Sequence, residues 1–302
     1  MLRRLELRVV RRLEGLLHGQ HQGLLPGAGS EPAEARTYQP GEDDVRRMDW
    51  NVTARTTVPH VRDLVADREL ETWALVDLSA SMDFGTVGPD KRELAVAALA
   101  AVGFLTGRSG NRFGALVLHA GGVASWPART GRAALYGLLR SLLAAERPAP
   151  GGRPLPLASA VEALARGRRR RGLRVVVSDF LDPVGPDGVF GWEPPLRQLA
   201  ARHQVLAVEV RDPRELDLPA LGPVQLVDPE TGAERWVRLT PRLRERYAAA
   251  AAEQRAGVRR ALRGCGAAQL VLATDRDWVY DVARFVTEQR RVAHRAGLGR
   301  RR

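Results

Sequence analysis

Trp73 to Val76 is a run of apolar residues without polar alternation, and such a segment suits a strand covered on both faces. Strands of that kind belong to parallel sheets, whose crossover helices pack on either side. The residues that follow narrow the choice. Asp77, Ser79 and Ser81 fall at alternate positions just past the strand, and the carboxyl end of a buried strand is where open α/β sheets bind ligands. All three are hard oxygen donors, with no thiolate or imidazole among them, which suits Mg²⁺ or Mn²⁺ rather than zinc or copper. With one charge in three donors, a bound cation would stay electrophilic and keep positions open for water or for a carboxylate from another molecule. The competing reading is that Asp77 and the serines cap the next helix. The motif alone leaves both open.

The rest of the chain repeats the pattern of strand and helix. Asp90 is placed to cap an alanine-rich helix running to about Gly107, and Asn111 to His119 reads as a strand that Gly121 and Gly122 turn into a second one, Val123 to Trp126. Helices are expected at about 131–146 and 155–166. Leu173 to Val177 is another apolar strand, ending in Ser178 and Asp179, and Gln204 to Val210 and Gln269 to Ala273 follow as strands. Alternation at this spacing predicts an α/β fold, a doubly wound, mostly parallel sheet with an antiparallel edge hairpin. Right-handed crossovers would bring the ends of neighbouring strands to one edge, so Asp179 is expected beside Asp77. Between about 212 and 263 the alternation breaks into a hairpin and a polar helix, and a last helix is expected from Asp277 to Arg291. The predicted organisation is thus an N-terminal extension, residues 1–70, and an α/β domain, residues 71–302, carrying an insertion at about 212–263.

Within the extension, Leu2, Leu5, Val9, Leu13, Leu16 and Leu17 are spaced as one face of a helix, with arginines mostly opposite. Packing on its own domain is the commoner fate of such a helix, and contact with a membrane surface is the alternative. Tyr38 to Arg62 has poor periodicity and dense charge. Asp43, Asp44 and Asp49 there are expected to pair with Arg46, Arg47, Arg55 and Arg62 rather than form an acidic site.

Composition excludes several functions. The formal charge is +12, and of the 47 basic residues Lys91 is the only lysine. There is therefore no Gly-x-x-x-x-Gly-Lys phosphate loop, and lysine-based catalysis has a single candidate. The arginines are spread along the chain rather than massed with aromatics, so nucleic-acid binding is not expected. One cysteine, Cys265, allows neither an internal disulfide nor a multi-cysteine zinc site. The N-terminus has no continuous apolar segment of signal-peptide type, and the longest apolar run, Leu94 to Leu105, is too short to cross a bilayer, so the expected location is cytoplasmic.

Strand, Asp-Leu-Ser-Ala-Ser, helix, then a later strand ending in Ser-Asp resembles the von Willebrand factor type A domain with its metal-ion-dependent adhesion site. The block Tyr-Gln-Pro-Gly-Glu-Asp-Asp-Val-Arg-Arg-Met-Asp-Trp-Asn, with Ala54-Arg55, resembles the signature of the bacterial domain of unknown function 58. The resemblance implies that Asp77, Ser79 and Ser81 form the first metal loop and that Asp179 holds the metal through water. It also implies an adaptor working between a MoxR-type AAA+ ATPase and a client protein. One departure is visible: where the adhesion site takes a threonine, the best-matching position is Arg153, with Thr130 and Ser159 as substitutes.

Three functions compete. The first is a non-catalytic, Mg²⁺- or Mn²⁺-dependent protein interaction module. The second, a hydrolase using the same site, lacks a recognisable general base, a Gly-x-Ser-x-Gly elbow or a His-Glu-x-x-His helix. The third is nucleic-acid binding through arginine.

Overall fold

The computed structural model describes residues 35–39, 48, 50–62, 71–106, 111–119, 121–148, 155–166, 171–229 and 231–299. The amphipathic segment at 1–18, Asp43, Asp44, Asp49 and Arg153 lie outside the described residues.

Two short strands, β1 (Ala35–Thr37) and β2 (His60–Arg62), pair antiparallel around helix α1 (Trp50–Thr56). The main sheet is built from β3 (Glu71–Asp77), β4 (Arg112–His119), β5 (Gly122–Arg129), β6 (Leu173–Ser178), β7 (Gln204–Arg211) and β10 (Ala268–Ala273). A separate antiparallel pair, β8 (Pro223–Val227) with β9 (Glu234–Arg238), stands between β7 and β10 in the chain. Strand order in the main sheet is β10-β7-β6-β3-β4-β5, with β5 alone antiparallel to its neighbour. The chain thus builds outward from β3 to β5, then returns to the other side of β3 and builds outward again. The β3/β6 junction is the point where strand order reverses, and crevices in open sheets form there.

The unalternating runs are buried on both faces, as their composition requires. Ala74 and Val76 of β3 point into one core with Val175 and Val177 of β6, covered by α2 (Lys91–Thr106), α3 (Arg132–Ala144) and α7 (Trp278–Gly299). Trp73, Leu75 and Val176 point into the other, covered by α4 (Leu157–Ala165), α5 (Glu193–Ala200) and α6 (Pro241–Gly264). The alanines of α2 keep that helix close to the sheet, and at Gly103 a methyl group would stand 2.6 Å from Leu135 Cδ1, so α2 and α3 touch there through the glycine. Asp90 caps α2 as expected, its Oδ1 accepting from Glu93 N at 2.8 Å.

At the outer edge, the β4/β5 register shifts between Phe113 and Ala115. Pro127 falls within this bulge, where a residue without an N–H is tolerated. Helix α7 continues past the expected end at Arg291 to Gly299. No helix among the described residues is long and apolar enough to cross a membrane.

Candidate metal centre

Parallel register sets Asp77 of β3 opposite Leu118 of β4 and carries β6 one residue past its last pairing with β3, Val76 to Val177. Both strands therefore deliver their next polar residues to the same carboxyl edge. Asp77 and Asp179 are buried there, as is Ser178. Asp77 Oδ1 accepts the Ser79 N–H at 2.9 Å, and its Oδ2 accepts the Ser178 hydroxyl at 2.7 Å. The hydroxyl oxygens of Ser79 and Ser81 are 3.2 Å apart. Ser79 opens the short 3₁₀ turn Ala80–Asp83 without its side chain capping it, so the capping reading of the motif fails for this residue.

Burial, with the negative charge of Asp179 added, pushes the Asp77 carboxyl up to about 6. Burial acts against charge on Asp179 as well. There the Lys91 ammonium, its hydrogen bond, the Ser81 hydroxyl and the Leu181 N–H together hold the carboxyl below the ordinary range.

The chain then turns sharply. Phe180 has φ of 54°, a left-handed conformation that costs a residue with a Cβ on the order of 1 kcal/mol. Its N–H donates to Ser178 Oγ at 3.1 Å, and its buried ring meets Trp192 edge-on at 5.3 Å, which itself stacks on Phe190 at 5.1 Å. Aromatic packing thus holds the strained turn that presents Asp179.

The donor set fits a small hard cation. Two ligands at right angles around Mg²⁺, each roughly 2.1 Å from it, stand roughly 3 Å apart, close to the spacing of the two serine hydroxyls. Two carboxylates buried against each other, one with its proton affinity raised, are the electrostatic complement of such an ion. Among the described residues no three His, Cys, Asp or Glu side chains gather into a metal-binding group, so this cluster relies on hydroxyls for half its donors. Of the two proposed substitutes for the missing threonine, Thr130 follows β5, the strand that runs against the others, and so lies at the opposite edge. Ser159 lies in the first turn of α4.

Sequence reasoning missed the second half of the site. Lys91, at the first position of α2, is fully buried, and its Nζ donates to Asp179 Oδ2 at 2.8 Å and to Glu215 Oε1. Burial works against the ammonium, but Asp179 and Glu215 more than offset it and hold the group above its ordinary value. Glu215 closes a 3₁₀ turn, Pro213–Glu215, directly after β7. Arg255 from α6 joins the same group, donating from Nη1 to the Asp179 carbonyl at 2.7 Å and to Glu209 at 3.0 Å, and from Nη2 to Glu215 Oε2 at 3.2 Å. Asp212, also buried, accepts from Thr86 N, Thr86 Oγ1, Thr274 Oγ1 and Arg214 N at 2.9, 2.6, 2.8 and 2.9 Å. One signal was available. In a chain that otherwise uses arginine throughout, a lone lysine marks a position that takes a compact ammonium rather than a planar fork.

The family model described as protein of unknown function DUF58 matches residues 34–257. An uncharacterized protein of Mycobacterium tuberculosis, Rv1480, is 55% identical over 292 residues, covering 97% of this chain and 90% of that one. A Mycobacterium avium protein, MAV169, is 48% identical over 167 residues, 55% of this chain and 95% of that one. Among solved structures, an aerotolerance-related membrane protein from Bacteroides fragilis overlaps with TM-score 0.47 at 15% identity, covering 72% of this chain and 99% of that one. A von Willebrand factor type A protein from Catenulispora acidiphila overlaps with TM-score 0.39 at 11% identity, covering 77% and 43%. Likeness at these scores is one of outline.

Proposed function

The chain belongs to the DUF58 family, and we propose that it is a non-catalytic protein–protein interaction module whose contact is a divalent cation held at the carboxyl edge of the sheet. The carrying observation is the convergence, at the ends of two neighbouring strands, of the buried Asp77 and Asp179 with the half-buried Ser79 and Ser81 into one cluster of oxygen donors. Mg²⁺ or Mn²⁺ held there would supply an electrophilic position for a partner's Asp or Glu. The partners proposed are a MoxR-type AAA+ ATPase and a client protein that the ATPase remodels, with this chain as adaptor, and the proposed location is the cytoplasm.

A hydrolytic reading would need a base beside the cation. His119 ends β4 on the same edge, but its Nδ1 accepts the Gly121 N–H at 3.1 Å, so a neutral ring carries its proton on the other nitrogen and has no free lone pair. The interaction reading is tested by capturing the MoxR-type ATPase of the same organism on the immobilised chain, with Mn²⁺ and with chelator. Asp77→Ala, folded by circular dichroism, is expected to lose Mn²⁺-dependent capture. Capture that is equally strong in chelator and in the variant overturns the reading.

A further inference from the structure

We infer that Lys91 is a positioning residue that couples cation occupancy at Asp77 and Asp179 to the inserted hairpin β8–β9. The inference rests on the metal reading above and adds to it a route by which the site signals to another part of the molecule.

Lys91 Nζ bridges two carboxylates that belong to different parts of the fold. Asp179 is a donor of the candidate site, while Glu215 stands at the root of the insertion, eight residues before β8 begins at Pro223. Arg255 makes a second bridge between the same two places, from the Asp179 carbonyl to Glu215 Oε2. Glu215 Oε2 also accepts the Asp212 N–H at 3.0 Å, closing a capping box with the Asp212 side chain. Both ends of the bridge are therefore fixed to backbone, and neither has slack to absorb a change silently.

A divalent ion drawing on the Asp179 carboxylate sets a second cation against the one already there. Like charges sharing one carboxylate repel, most strongly where water is excluded. Lys91 then gives up part of its hold on Asp179 and leans on Glu215, whose remaining bonds reach Asp212 and Arg255. The segment that joins this root to the hairpin is tied to α6, by Tyr247 Oη donating to the Glu215 carbonyl at 3.3 Å and Arg244 Nε to the Leu218 carbonyl at 2.7 Å, and beyond it every described residue of β8 and β9 is exposed or only partly buried, Trp236 70% exposed. A two-stranded ribbon of this kind is marginal by itself and takes its order from its anchor. Coupling of this sort is reciprocal, so a partner seated on the hairpin would change cation affinity by the same factor.

The experiment measures Mn²⁺ binding by calorimetry and amide hydrogen exchange over residues 212–238, with and without saturating Mn²⁺, on the full chain. Glu215→Gln keeps the shape and leaves Lys91 on Asp179 but removes the charge that receives it. In the parent, Mn²⁺ is expected to change exchange across the short turn and the hairpin about threefold or more. In Glu215→Gln, Mn²⁺ still binds, within about tenfold of the parent, and the exchange response disappears. Mn²⁺ binding without any response in the parent, or an undiminished response in Glu215→Gln, overturns the coupling and leaves the metal site standing. Absence of Mn²⁺ binding to the parent overturns the metal reading and the coupling together. Lys91→Met gives a second readout a purely structural lysine would not: if it folds, it is expected to bind Mn²⁺ about tenfold more tightly, and weaker binding contradicts the proposal.

Discussion

Replacing Asp212 by asparagine changes one atom and is expected to cost about 2–4 kcal/mol. The side chain accepts four hydrogen bonds, two at each carboxylate oxygen, and each oxygen takes one bond from a hydroxyl and one from a backbone N–H. A hydroxyl can rotate and accept from an amide NH₂, but a backbone N–H cannot. Whichever way the asparagine is turned, its NH₂ therefore faces either Thr86 N–H or Arg214 N–H, leaving a donor against a donor. A donor orphaned in this part-buried setting costs about 1 kcal/mol, the low end of the usual range, and the three surviving bonds lose the strength that charge gives them. In a chain of this size the sum corresponds to a melting point lower by roughly 3–6 °C. Thermal or urea unfolding at pH 7 measures it. The pH profile adds a sign: burial works against the Asp212 charge, but the bonds from Thr86, Arg214 and Thr274 hold its carboxyl below its ordinary value of 3.8. Its contribution is thus fully present above that value and is lost as pH falls below it, so the gap between parent and variant should stay constant from about pH 8 to 5 and close only under about pH 4. A variant that melts with the parent at pH 7, or a gap that closes by pH 6, would refute the accounting.

Arg255→Met removes three hydrogen bonds, to the Asp179 carbonyl, Glu209 and Glu215, but leaves Glu209 on Arg211 and Gln269 and Glu215 on Lys91, and is expected to destabilise by about 2–3 kcal/mol in urea unfolding; Arg255→Lys should recover only part of this, since one ammonium cannot reproduce the fork. Gly114→Ala would place a methyl 2.9 Å from the Trp73 ring and 3.0 Å from Ala128 Cα, and should cost about 1–3 kcal/mol by overpacking against backbone that cannot move aside; an unchanged melting point would show that the bulge yields.

The sheet and half of the site were legible in the sequence for one reason. Trp73 to Val76 and Leu173 to Val177 carry their burial in local composition, and Asp77, Ser79, Ser81 and Asp179 sit at the strand ends that composition defines. Lys91, Glu215 and Arg255 were not legible, because their meaning comes from a meeting of residues 40 to 124 positions apart. A lysine opening a helix reads locally as a solvated end, and Glu215 reads as a capping-box residue, which it also is. Ser178 was noted only as Asp179's neighbour, although its hydroxyl is what anchors Asp77.

The bulge at Pro127 governs how the molecule behaves in a crowd. An outermost strand offers a free row of N–H and C=O groups on which a neighbouring chain can build. In β5 Pro127 carries no N–H and the register shift beside it distorts the strand, two features that make an edge a poorer template. This flank of the sheet is thus a less inviting place for a passing strand to pair, and stacking of chains edge to edge into fibres is discouraged there.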